Sequence, residues 1–203
     1  MRHFAGALTT LGAALGVACA PVAVSTTPAG RVVSANSVIA DIAGWPKASQ
    51  DAARHMIGKY GPPNETTPTM LVWYATGPWK RTIISREEVP HSFPKQHTDV
   101  MEQFIDYRVP PDKFDELAAY DGSVVVERTK GELSARCDKE EMNFLAVNLA
   151  NDVVTGRRNA QQARDEYTRQ VMAFMNNQPA SYTTGLQFAV PRGGTADPDR
   201  PAM

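Results

Sequence analysis

Cysteine is scarce in this 203-residue chain: there are two, Cys19 and Cys137. If Cys19 is modified or removed during processing, Cys137 stands alone and the mature domain has no internal disulfide. A domain of this size does not need one. An excess of charge of one sign is also missing, with 21 Lys and Arg against 22 Asp and Glu and a formal net charge of −1. Without a basic face there is no footprint for a nucleic-acid partner. Several motifs that would name a chemistry are absent: Gly-x-Ser-x-Gly, a phosphate-binding glycine loop, Cys-x-x-Cys and His-Glu-x-x-His. No internal repeat is visible.

The first thirty residues contain no acid, and Arg2 is the only Lys or Arg before Arg31. Met-Arg-His forms a short positive start, and Phe4 to Ala18 is apolar or small apart from Thr9 and Thr10. This is the pattern of a secretory signal peptide, too short to span a bilayer. Two processing points compete. Gly16-Val17-Ala18 before Cys19 resembles a lipobox, with Gly16 where a large aliphatic is usual. That route would lipidate Cys19 and attach the protein to a membrane. Ala23-Val24-Ser25 offers ordinary cleavage after Ser25. The expected organisation is a signal peptide over 1–25, a tether over 26–44, a domain over 45–190 and a disordered tail over 191–203. Either route places the protein outside the cytoplasm, periplasmic or lipid-anchored in a bacterial envelope.

Within the domain, the stretch from Tyr120 to Gly156 organises the rest. Ser123–Arg128 is rich in β-branched residues, Lys130-Gly131 supplies a turn, and Leu133, Ala135 and Cys137 alternate with polar residues. This is a hairpin leading into a helix. Asp138 with Glu141 has capping-box spacing, so the helix is expected to start there and to end near Gly156. Met142, Leu145, Ala146, Leu149 and Val153 share one broad face, with apolar flanks that predict packing on most sides.

Upstream, a short strand is expected at 37–42. A helix capped by Ser49 should end at Gly61-Pro62-Pro63, followed by strands over 69–75, 79–85 and 102–109. Pro111 opens a helix in which Phe114, Leu117 and Ala118 face inward. Downstream, Asn159 and Gln162 cap a helix with the stripe Ala160, Ala163, Tyr167, Val171 and Phe174, and 183–190 reads as an edge strand. The fold class is α+β: one domain with a small antiparallel sheet of about four to five strands packed against helices.

Between the strands, 87–98 has no periodicity and contains Pro90 and Pro94, so it reads as a long loop. It carries His91 and His97, followed by Asp99 and Glu102. Imidazole and carboxylate are nitrogen and oxygen ligands for divalent metals, although this spacing matches no known metal signature. A mobile, proline-flanked loop is a poor preformed cage, so neither a metal nor another cofactor is expected. Cys137, inward with Leu133 and Ala135, is expected to be buried and inert. Trp79, with Trp45, Trp73 and Tyr74, could line a groove or fill the core.

The runs Gly77-Pro78-Trp79-Lys80-Arg81-Thr82, Pro90-His91-x-Phe93-Pro94-x-x-His97-Thr98-Asp99 and Ile105-Asp106-Tyr107-Arg108-Val109-Pro110 can be taken together with the central Tyr120–Asp152 stretch. Over about residues 45–170 the chain resembles a family of bacterial exported proteins of unassigned function. The resemblance implies export and supplies no activity and no catalytic residue. The expectation is an exported, non-catalytic binding or assembly module for a protein or small-molecule ligand, with binding residues among His91, His97, Asp99, Glu102 and Trp79. The alternative is a metal-dependent hydrolase built on the loop around His91 and His97.

Overall fold

A computed structural model describes residues 34–203. The expectations for the signal segment, both cleavage points, Cys19 and the start of the tether lie outside the described residues. The sheet has six antiparallel strands, more than the four to five expected, in the order β1-β2-β3-β4-β6-β5. The strands are β1 Glu65–Thr66, β2 Met70–Thr76, β3 Trp79–His91, β4 His97–Asp106, β5 Val124–Glu127 and β6 Glu132–Cys137. The helices are α1 Ala35–Asp41, α2 Lys47–Tyr60, α3 Phe114–Tyr120, α4 Glu140–Val154 and α5 Ala160–Met175. The architecture is a single α+β domain.

Strand registry assigns the faces. Ile84 lies opposite Met101, Met101 opposite Cys137, Gln103 opposite Ala135, and Ile105 opposite Leu133. Directly paired residues point to the same side, so this parity is the inner face. One core gathers Ile105, Leu133, Ala135, α3, α4 and α5, and a second gathers Leu71, Trp73, Ile84, Met101, α1 and α2. The opposite parity carries Arg81, Glu102, Phe104, Glu132 and Ser134. There Arg81 reaches Glu132 through two hydrogen bonds, of 3.0 and 2.7 Å, and lies over the Phe104 ring.

The central helix is buried on all sides as its composition predicts, Asn143, Asn148, Asn151 and Asp152 included. A polar seam joins the two cores. Glu140 accepts from Trp79 Nε1 at 2.7 Å, Tyr60 Oη at 2.8 Å and Lys59 Nζ at 2.5 Å. Asn143 donates to Gln103 Oε1 at 3.0 Å and to the Met101 carbonyl at 3.2 Å. The donors of the seam are satisfied, while Asn143 Oδ1 has no hydrogen-bond partner among the described residues, so the seam binds α2 to α4 without the cost of orphaned donors.

Several local expectations change. Asp138 caps nothing: α4 starts two residues later with Lys139 at its N-cap and no side-chain cap, while Asp138 pairs with the Lys139 ammonium. Ser49 lies inside α2, where its hydroxyl donates to the Ser85 carbonyl at 2.7 Å. Residues 35–41 are helical, not a tether or a strand, because Ser34 and Ser37 form a reciprocal capping box. In α3 the buried residues are Leu117 and Tyr120, whereas Ala118 is exposed. The Asn159–Gln162 capping box is present as expected.

Residues 183–190 form no strand. Their chain is held instead by Asn148, which donates to the Tyr182 and Gly185 carbonyls and accepts from Gln187 N. The segment 191–203, expected to be disordered, makes placed contacts: Arg108 donates to the carbonyls of Gly194, Thr195 and Ala196. It crosses the β5–β6 turn so closely that a Cβ on Gly131 would lie 2.0 Å from the Thr195 carbonyl oxygen. Gly131 is also at φ +67°, so the turn and the crossing demand glycine independently.

Candidate functional site

The stretch 87–98 is not a long structureless loop. β3 continues to His91 and β4 begins at His97, leaving a connection of five residues. The period was hidden by a register shift between Ile84 and Val89, after which Val89 pairs with Asp99 and His91 with His97. Past Ser85, β3 has lost its pairing with β2, so Pro90 sits where no ladder partner needs its missing N–H. The tip is pinned to the domain. Phe93 packs on Tyr167 of α5 with ring centroids 5.1 Å apart, and the Arg164 guanidinium lies 3.8 Å from the Phe93 ring centre.

This extension brings three of the five candidate residues together. His91, His97 and Asp99 share the inner face by registry, and each offers a donor atom within 4.8 Å of the others. His97 Nδ1 lies 2.9 Å from the Lys95 carbonyl. A carbonyl only accepts, so Nδ1 bears the proton and Nε2 faces Asp99 Oδ1 at 3.2 Å. Asp99, with its side chain 1% exposed, takes a short hydrogen bond from the Ser123 hydroxyl on Oδ2. His91 Nδ1 lies 3.1 Å from Ser123 Oγ and 3.4 Å from Asp99 Oδ2, and its Nε2 lies 3.6 Å from Asp121 Oδ1.

Glu102 is not part of this group. It is three residues from Asp99, an odd number, so it points to the opposite face, where it accepts from the Ser134 hydroxyl at 2.6 Å. Trp79 is also elsewhere, buried against Phe144 with ring centroids 4.8 Å apart and bonded to Glu140. Trp45 and Trp73 are core residues, and Tyr74 is exposed. Two participants gave little signal in the sequence. Ser123 read as the first residue of a hairpin strand, but it precedes β5 and forms a turn with Asp121, with Ser123 N donating to Asp121 Oδ1 at 2.9 Å. Because β6 ends at Cys137, Ser123 reaches past its end to Asp99 on β4.

The electrostatics are those of a closely coupled group. Hydrogen bonding to Asp99, followed by that to Cys137, outweighs burial and pushes the His97 pKa up to about 11. Burial pushes the Asp99 carboxyl up, but hydrogen bonds from His97 and Ser123 and the nearby imidazoles hold it below its ordinary value. Burial dominates at Asp121 and raises its pKa. It also raises the Cys137 thiol despite the neighbouring His97, so Cys137 is a poor nucleophile. His97 Nε2 and Asp99 Oδ1 form an ion pair at 3.2 Å, and among the described residues the buried Oδ1 has no well-aligned hydrogen bond besides it.

Beside the trio lies a cleft of about 340 Å³ that His97 and Cys137 help to line. Met142, Val171 and Phe174 give it an apolar wall, and Lys95 and Lys139 bring positive charge to it. Lys139 is paired with Asp138 at 2.7 Å, whereas Lys95 meets only the Met175 thioether among the described residues, at 3.5 Å. Compared with family models, with curated proteins and with solved structures, the chain finds no match in any of the three.

Proposed function

We propose that the chain is an exported, non-catalytic binding module that takes a small ligand at the cleft beside His97. The observation that supports this most directly is the convergence of His91, His97 and Asp99 next to an apolar cleft with a cationic rim. An apolar wall with a few convergent polar groups is the usual form of a small-molecule site. The charge balance favours an amphipathic anion, with its acid near Lys95 and its hydrocarbon part against Met142, Val171 and Phe174. Export is the work of the N-terminal segment. The mature protein is either free in the periplasm or held at the envelope through Cys19, as in the exported bacterial family it resembles.

A metal-dependent hydrolase is the second reading, because two imidazoles and a carboxylate are a ligand set seen in metal catalysis. The two readings separate in one set of measurements. In amide NMR spectra, hexanoate or benzoate should perturb 95–98, 137–142 and 171–175, and Met142→Trp should remove the effect by filling the cleft. Neither p-nitrophenyl acetate nor bis(p-nitrophenyl) phosphate should be turned over with zinc or manganese present. Absent perturbations at the cleft would refute the binding reading. Turnover that requires His97 would replace it with the hydrolase.

A further inference from the structure

We infer that His91, His97 and Asp99 form a binding site for a divalent transition-metal ion, which is the first component of the ligand this module takes. The inference rests on reading this corner of the domain as a ligand site. It is carried by donor geometry on a rigid frame, which a mobile loop would not have provided.

Each residue has the arrangement that metal ligands usually have. His97 donates its Nδ1 proton to the Lys95 carbonyl, which fixes the ring and aims Nε2 at Asp99, where a bound ion would take the place of the Nε2 proton. A ligating imidazole commonly has its other nitrogen held by a carbonyl or carboxylate. His91 follows the same pattern: Nδ1 faces Asp99, and Nε2 is directed toward the buried Asp121 carboxylate. Asp99 is fixed through Oδ2 by Ser123, and among the described residues its buried Oδ1 has the His97 ion pair and no well-aligned hydrogen bond. A carboxylate oxygen this deeply buried ordinarily has a partner, and a cation supplies one.

The separations suit a metal. Ligands at 2.0–2.1 Å in tetrahedral array stand about 3.3 Å apart. His97 Nε2 and Asp99 Oδ1 are 3.2 Å apart, His91 Nδ1 is 3.4 Å from Asp99 Oδ2, and with one donor atom from each residue the set lies within 4.8 Å, so the three close inward on a shared ion. Two imidazoles and one carboxylate select zinc, cobalt, nickel or manganese over magnesium and calcium, which prefer oxygen shells. Three protein ligands leave a position open, as metal sites that receive a further ligand do. His97 belongs to both trio and cleft, so an anionic head group entering the cleft could complete the shell.

The test uses the full-length chain without a polyhistidine tag. Isothermal titration with zinc should show one ion per chain, with magnesium and calcium giving no such isotherm. Cobalt should produce the visible d–d bands of a four- or five-coordinate site. His97→Ala and Asp99→Asn should each weaken zinc binding by at least about tenfold, whereas Glu102→Gln on the opposite sheet face should not. Circular dichroism checks that the variants remain folded. If one does not, His91→Gln provides a second route to the same outcome. No stoichiometric binding, or binding that survives the loss of His97 and Asp99, would overturn the metal site. Cleft perturbations by hexanoate in zinc-free protein would then leave the binding module standing, while their absence together with absent metal binding would remove both.

Discussion

Two of the buried carboxylates of this domain, Glu140 and Asp99, are treated differently. Glu140 is surrounded by donors: Trp79, Tyr60 and Lys59 bond to it, and Gln103 Nε2 lies 3.4 Å away. Asp99 has one firm hydrogen bond, from Ser123, two imidazoles at its edges and, among the described residues, no well-aligned hydrogen bond to Oδ1. Both carboxyls are held below their ordinary pKa against the opposing push of burial. The number of partners separates them. A saturated buried charge fastens elements together, whereas an unsaturated one beside a cleft has the form a ligand site takes.

The comparison predicts a difference in stability, and this should be the largest effect. Glu140→Ala strands the buried Trp79 indole N–H and releases Lys59, at a cost of about 3–5 kcal/mol. Asp99→Asn keeps an acceptor for Ser123 and should cost about 1 kcal/mol. Urea unfolding midpoints measure both. Equal losses would mean that Asp99 is as much a structural fastener as Glu140.

A third carboxylate sharpens the comparison through pH. On the outer face, the two hydrogen bonds from Arg81 pull the Glu132 carboxyl down. Burial opposes them, Lys80 assists, and the pKa falls from 4.5 to about 2. A depressed carboxylate contributes stability that is complete above its unfolded pKa and is lost as pH falls through its folded one. Lowering the pH from about 5 to about 2 should therefore remove on the order of 2 kcal/mol, allowing for the partly exposed cations. Arg81→Ala should flatten most of that slope.

The smallest effects concern helix starts. Asn159→Ala removes a cap that exists and should cost about 1 kcal/mol. Asp138→Ala removes a partly exposed pairing with Lys139 and a weak contact from the Cys137 thiol, and its cost should stay below about 0.5 kcal/mol. A larger loss at Asp138 than at Asn159 would contradict the placement of α4's first turn.

These helix starts also show where the sequence was legible. Asn159 and Asp138 both have capping spacing, but only Asn159 is followed at once by helix. At Asp138 the chain must first leave β6, and the turn uses up the cap position. The hairpin of β5 and β6, the faces of α4 and the stripe on α5 were readable because burial follows period. The extension of β3 was not, because a register shift breaks the alternation and Pro90 imitates a loop. That misreading removed the rigidity from His91 and His97, which was the ground on which no metal was expected. Grouping His91, His97 and Asp99 required only residue types and proximity along the chain. Excluding Glu102 required the strand phase, and including Asp121 and Ser123 required knowing that β6 stops at Cys137.

The most direct test of the difference between the two carboxylates is the response of the melting temperature to zinc in three proteins: wild type, Glu140→Gln and Asp99→Asn. An ion that binds only the folded state at a hundredfold excess over Kd adds about 2.7 kcal/mol, or about 5–10 °C for a domain of this size. Wild type and Glu140→Gln should both rise by that amount from their own baselines, and Asp99→Asn should not move. A flat wild-type response, or an equal rise in Asp99→Asn, would contradict the assignment of Asp99 to a ligand site.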